Sequence, residues 1–316
     1  MENIEFIEFC GLDRWKDAVE NTGKYEGWIL ADEDLDRWRE GFGEGNYNLL
    51  VAIEKKTNKT VGHVATAFYE SIEGSDPLLT IGMFFVLPEF RGIGLGWKLF
   101  EKVVQNPKFH GINWGLNAIP KMTKKYATKF GFDKYPKWQI STFEAAIKDI
   151  NPERLQSNHL IKNVSFKEVN FESFIKYDTV MTGGIRRDKF MEKWLDSKNA
   201  FSKIALNLEN KKIVGVCNIR IAFQKQLAIG PFYAETKSIA ENLLKDVLKI
   251  IPDINQYSKL WLYPATTNQE AKEIFYNLAD GKIQEYNVSF GQFTKHVIEV
   301  NTSKIYSVTE HAMSYC

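Results

Sequence analysis

Apolar and polar positions alternate along this chain with two periods, and the changes between them lay out a run of strands and helices. The opening "IEFIEFC" reads as a short strand, and "LDRWKDAVEN" as a helix after it. "DEDLDRWREGF" predicts a second helix, with acids in the first turn as the helix dipole favours, and closed by Gly41. "YNLLVAIEKKTNKTVGHVATAFYES" predicts a hairpin turning at Thr57-Asn58-Lys59. "LLTIGMFFVL" is apolar almost throughout, the pattern of a central strand buried on both faces. "GWKLFEKVVQN" places Trp97, Phe100, Val103 and Val104 on one helical stripe. "INWGLNAI" then reads as a strand, "KMTKKYATKFGF" as a helix ended by Gly131, and "QISTFEAAI" as a strand.

The same order recurs after a polar stretch that begins at Asn151-Pro152. "RDKFMEKWLDS" predicts a helix, and "FSKIALNLENKKIVGVCNIRIA" a hairpin turning at Glu209-Asn210. Then come a strand "QLAIGPFYA", an amphipathic helix "SIAENLLKDVLKII", a strand "KLWLYPA", a helix ended by Gly281, and a strand "YNVSFGQFTK". An internal repeat of about 150 residues accounts for this order. The expected organisation is a first domain over 1–150, a linker over 151–163 and a second domain over 164–316.

Composition changes the picture mainly by exclusion. The 316 residues suffice for two hydrophobic cores. A net charge of +1 provides no global field for nucleic acid or an anionic membrane, and no apolar run approaches a membrane span. Cys10, Cys217 and Cys316 are far apart and form no disulfide framework, which points to a reducing compartment. The acidic start "MENIEFIEFCGL" is unlike a signal peptide, so the expectation is a cytoplasmic protein. His63, His110, His159, His296 and His311 form no metal-ligand spacing, and no G-x-S-x-G is present. His63 reads as an interior or half-exposed strand residue, and Cys10 and Cys217 as packing residues.

The candidate chemistry lies in "FFVLPEFRGIGLGWKLFEKVV". Pro88 cannot continue a ladder, so the strand ends or splays there. Gly92, Gly94 and Gly96 let backbone come close to a ligand, and a helix begins directly after them. Unpaired N–H groups at that helix start form an anion cradle, with Arg91 at its rim. The loop lacks the Gly-Lys-Ser/Thr ending of a Walker loop and departs from the G-x-G-x-x-G dinucleotide form.

The arrangement "VLPEFRGIGLG" resembles motif A of the GNAT acetyltransferase superfamily, V-x-P-x-x-R-x-x-G-x-G. The resemblance implies two tandem GNAT-like α/β domains, each a mixed, mostly antiparallel sheet flanked by helices. It also implies acetyl-CoA as the cofactor. Phe84, Phe85 and Val86 would line the pantetheine arm, and Arg91, Gly92, Ile93, Gly94, Leu95 and Gly96 would hold the pyrophosphate. "GLNAIPKMTKKYATKFGF" resembles motif B, which implies that Asn117 bonds the cofactor where the central strands diverge. It implies too that Tyr126 protonates the departing thiolate, although Tyr126 stands five residues before Gly131 where the family commonly has four. Trp28 would wall the acceptor pocket. Asp32, Glu33, Asp34 and Asp36 read as a solvated, dipole-matched helix start. The second half has "ETKSIAENLL" in place of the loop and resembles a degenerate GNAT domain. Phe232, Tyr233 and Glu235 are its residues to inspect, with Tyr233 a candidate for acceptor binding.

The expected reaction is direct acetyl transfer to the amine of a small molecule or peptide, by a monomer or homodimer. A backbone N–H near Phe85 or Val86 would hold the oxyanion. Glu70, Glu73 and Asp76 are candidate bases acting through water. The alternative is an acetyl-CoA-binding sensor or scaffold without catalysis.

Overall fold

The computed structural model describes residues 2–8, 11–70 and 76–316, so Cys10 and Glu73 lie outside the described residues. The first half runs β1 (Ile4–Ile7), α1 (Leu12–Glu26), α2 (Asp34–Phe42), β2 (Tyr47–Glu54), β3 (Lys59–Tyr69), β4 (Leu78–Val86), α3 (Leu95–Val104), β5 (Asn113–Ala118), α4 (Pro120–Phe130) and β6 (Ile140–Ala146). The second runs β7 (Ile161–Val164), α5 (Phe171–Met181), α6 (Asp188–Leu195), β8 (Ala200–Asn207), β9 (Ile213–Ala222), β10 (Gln226–Ala234), α7 (Lys237–Lys249), β11 (Lys259–Leu262), α8 (Gln269–Leu278), β12 (Gln284–Phe293) and β13 (Ile305–Ser307). From β2 to β6 and again from β8 to β12, the order is strand, strand, strand, helix, strand, helix, strand. No helix among the described residues is long and apolar enough to cross a membrane.

The strands join in one sheet, in the order β1-β2-β3-β4-β5-β12-β6-β11-β10-β9-β8-β7, with β13 added to β10. Most neighbours are antiparallel; β4–β5 and β10–β11 are the parallel pairs. The centre of this order departs from the chain order. β12 inserts beside β5, with Phe290 opposite Ala118. β6 pairs with β11, with Trp261 opposite Glu144. Each half thus completes its sheet with a strand from the other.

Burial explains which helix faces pack. On α3 the buried residues are Leu95, Leu99, Phe100 and Val103, so Phe100 and Val103 of the expected stripe face the core and Leu95 and Leu99 take the place of Trp97 and Val104. Trp97 is 41% exposed and stacks on Phe130 with ring centroids 4.9 Å apart. On α7, Ile239, Leu243, Leu244, Val247 and Leu248 face the sheet, each contributing about 1.5–3 kcal/mol of apolar burial. A third cluster, with Trp15, Trp38 and Trp194 fully buried, joins α1 and α2 to α6. Gly41 belongs to that packing and does not end α2. A Cβ there would lie 2.7 Å from the Phe190 backbone, and the helix is capped two residues later at Gly43. Gly131 does end α4, at φ 75°.

The candidate active site

β4 and β5 pair only as far as Ile81 opposite Leu116. Beyond that point β5 continues to Ala118 paired on its other edge with β12, and β4 continues to Val86 with its edge toward β5 free of a partner strand among the described residues. The edge is shaped by a bulge opposite β3, where Met83 takes φ 52°. His63, buried beneath it, donates from Nδ1 to the Met83 carbonyl. Burial lowers the His63 pKa to about 4, so the ring is neutral and keeps this geometry at ordinary pH. Leu87 N–H donates to Val61 O on the β3 side, at 2.9 Å. By strand alternation Val86 faces the open side, where its carbonyl accepts from Arg91 Nε at 2.8 Å.

The glycine segment closes the near end of the opening. Gly92 and Gly94 have φ 83° and 88°, conformations costly for other residues, and Cβ atoms there would meet nothing within 4 Å. The space in front of them is therefore open to a ligand. Gly94 is the N-cap of α3, and no side chain caps that helix, so its first N–H groups face the same space. The Arg91 guanidinium is tethered at 2.7 Å to Glu26 and lies over the Phe85 ring. Lys121 and Lys125 on α4 add positive charge to the wall. Free amides, glycines and the Arg91 cation make this end fit a polyphosphate.

The opening belongs to a cavity of about 1020 Å³. Phe84, Phe85, Val86, Arg91, Gly92, Gly94, Gly96, Asn117, Tyr126 and Trp28 all lie on its wall. The Ile93 side chain points to solvent, and the Leu95 side chain is fully buried in the core, so only their backbones take part in the loop. Asn117 donates from Nδ2 to Ser314 O at 2.7 Å, while its Oδ1 is buried without a partner. The Tyr126 ring stacks on Phe100, and burial raises its pKa, which keeps the phenol protonated.

The far wall comes mostly from the second half, with β6 of the first half set among its strands. Arg220, Ala228, Trp261 and Glu144 stand opposite one another across β9, β10, β11 and β6, on one face. Glu144 accepts from Tyr286 at 2.7 Å and pairs with Lys259 at 2.7 Å, and the Trp261 and Tyr286 rings are 5.4 Å apart. Residue periodicity placed these residues in strands but said nothing of what faced them. Glu70 and Asp76 are exposed and off the cavity wall.

Two expectations need correction. Tyr233 is fully buried, and its hydroxyl contacts Arg187 and Thr309 at 3.1 and 2.8 Å, away from the cavity. Asp34 is fully buried too, because Arg37 and Arg220 both donate to it. Asp32 and Asp36 remain exposed, as a solvated helix start requires.

The second half closes its own version of the opening. β10 pairs with β11 only at Leu227 and Ala228, and β13 then occupies the gap, with Phe232 opposite Ser307. The Tyr306 ring packs 5.3 Å from that of Phe232, and Glu235 pairs with Lys304. From β13 the chain runs along the first opening. Ala312 O rests where a Cβ on Gly82 would be, at 1.7 Å, and His311 and Ala312 join the cavity wall.

Residues 12–181 match the model of the family described as "Protein of unknown function (DUF1248)", and residues 174–261 match "Acetyltransferase (GNAT) domain". A protein of Pyrococcus horikoshii named provisionally as an acetyltransferase superposes with a TM-score of 0.71 at 15% identity, over 99% of this chain and 97% of that one. A tandem GNAT protein from the clavulanic acid biosynthesis pathway gives 0.66 at 11%, over 92% and 98%. A GCN5-related N-acetyltransferase from Sphaerobacter thermophilus gives 0.58 at 12%, over 96% of each chain. No curated protein matches the sequence.

Proposed function

We propose, for a chain that belongs to the family described as "Protein of unknown function (DUF1248)" and has the tandem GNAT fold, that it transfers an acetyl group from acetyl-CoA to the amine of a small molecule or peptide. One observation carries this reading. The uncapped start of α3, with its open glycines, and the unpaired edge of β4 meet on one cavity.

In this reading the N–H groups of Gly92 to Gly96, with Arg91 at the rim, hold the pyrophosphate. Phe84, Phe85 and Val86 line the pantetheine arm, and the free Oδ1 of Asn117 accepts from one of its amides. Acetyl-CoA supplies an activated thioester when bound. The outward-facing Val86 N–H stabilises the developing oxyanion. Tyr126, held protonated by burial, gives its proton to the leaving thiolate. Trp28 and the Trp261–Tyr286 wall enclose the acceptor.

The test is calorimetric titration of acetyl-CoA into the wild type and Gly94→Glu, followed by a thiol-release screen over amines. Glu at position 94 puts a carboxylate in the space meant for phosphate, so affinity falls at least about tenfold, or about 1.4 kcal/mol. Thiol release with at least one amine is expected. No binding by the wild type overturns the reading. Binding without release for any amine replaces it with a cofactor-binding sensor or scaffold.

A further inference from the structure

We propose that His311 takes the proton that the acceptor amine must lose, an inference that rests on the acyl-transfer reading above. The segment that follows β13 lies across the open end of β4 and β5, with Ala312 O on Gly82 and Ser314 O bonded to Asn117. One residue before Ala312, His311 lines the cavity. The ring is stacked on Tyr263, the residue that follows β11, with centroids 5.4 Å apart and planes 18° from parallel. Its orientation is thus set by packing. Its Nε2 is buried and has no hydrogen-bond partner among the described residues. A buried polar atom without a partner costs about 1–3 kcal/mol, so the cavity's ligand is the natural donor to it.

The surroundings keep this imidazole neutral. Burial lowers its pKa to about 4. Tyr263 faces it from just past the end of β11. The neighbouring Glu310, pushed up to about 7 by burial, is engaged by the Ala312 and Met313 amides. Arg220, across on β9, is tied to Asp34. The other acid–base candidates on the cavity wall are committed: Glu144 is bound by Lys259 and Tyr286, and Glu26 by Arg91. With its proton on Nδ1, His311 offers Nε2 as the free base of the site.

The step balances as follows. The amine lone pair forms the N–C bond to the thioester carbonyl, and the carbonyl π electrons move to oxygen. The nitrogen, now positively charged, passes one proton to His311 Nε2. The oxyanion collapses, the C–S bond breaks with its electron pair on sulfur, and Tyr126 protonates that sulfur. The amide and thiol leave, and the imidazolium returns its proton to the Tyr126 phenolate through solvent.

His311→Gln keeps a polar side chain of similar reach and removes the base. With the best amine from the screen, kcat is expected to fall about 10²–10⁴-fold. Its low-pH limb is expected to disappear, while acetyl-CoA affinity and thermal unfolding stay those of the wild type. In histidine-¹⁵N-labelled wild type, the same amine added without acetyl-CoA should move the imidazole resonance that the His311→Gln spectrum lacks. A variant rate within threefold of wild type with the limb intact, or no resonance movement, overturns the inference and leaves the acyl-transfer reading standing. A wild type that releases thiol with no amine removes that reading, and the inference with it.

Discussion

Asp34 is fully buried and accepts from Arg37 Nη1 at 3.1 Å, from Arg220 Nη1 at 2.8 Å and from the Ala31 N–H at 2.8 Å. The two arginines come from different halves, and Arg220 also reaches the cavity wall. Removing one member of a buried ionic cluster leaves the others charged and unpaired, which costs far more than the intact cluster contributes. Asp34→Ala is therefore expected to lose about 3–5 kcal/mol in chemical denaturation. Asp36→Ala, two positions on and exposed, should change stability by no more than about 0.5 kcal/mol. Equal effects would mean that the buried cluster is not a stability determinant. This contrast was not legible in the sequence. Four acids at a helix start satisfy the helix dipole whether or not one of them turns inward. The partner that turns Asp34 inward lies 186 residues away. The glycine loop was legible because Pro88, the positive-φ glycines and the helix start are all local requirements of backbone geometry.

At the scale of elements, the segment from β13 to Cys316 decides what each opening holds. It has no periodic apolar run, and sequence periodicity predicted no element there. Its place is set by absence of side chain elsewhere. Cβ atoms on Gly82 and Gly230 would lie 1.7 Å from Ala312 O and 2.3 Å from Val308 O. The Val308 N–H also donates to Tyr263 O at 2.9 Å, and Ser307 Oγ donates to Ile229 O at 2.8 Å. Gly82→Ala must therefore push the segment off β4, because the obstructing atom is backbone and cannot rotate away. Such overpacking is expected to cost about 1–3 kcal/mol. Local loss should exceed global loss: amide hydrogen exchange at residues 308–316 should speed up before that of β2 and β3. Unchanged exchange in 308–316 would show that the segment is held independently of the Gly82 contact. A glycine within an apolar strand is compatible with close backbone approach, but its own sequence does not say which backbone comes near.

For the whole molecule, the exchange of β6 and β12 bears on whether two similar halves are two independent units. The local pattern of "QISTFEAAI" and "YNVSFGQFTK" marks each as a strand, because alternation is a property of neighbouring residues. Which edge a strand joins depends on partners far away in the chain, and nothing in its own period records that. The repeat order was therefore readable and the exchange was not. Its energetic consequence follows from pairing. β6 has its partners in β11 and β12, both from the second half, while β12 lies between β5 and β6. Separated, the first half would expose the free edge of β5 and an unpaired β6, and the second would expose the edge of β11 and an unpaired β12. The intact chain is thus expected to unfold in a single calorimetric transition, with equal calorimetric and van't Hoff enthalpies, although a chain of this length often separates into domains. Fragments 1–150 and 151–316 expressed singly should lack that transition, and mixed during refolding they should recover it as a complex. Two resolved transitions in the intact chain, or cooperative unfolding of either fragment alone, would show that the exchanged strands add contacts without joining the halves into one folding unit. In that case the cavity between the halves would owe its shape to docking of two stable bodies and not to one continuous sheet.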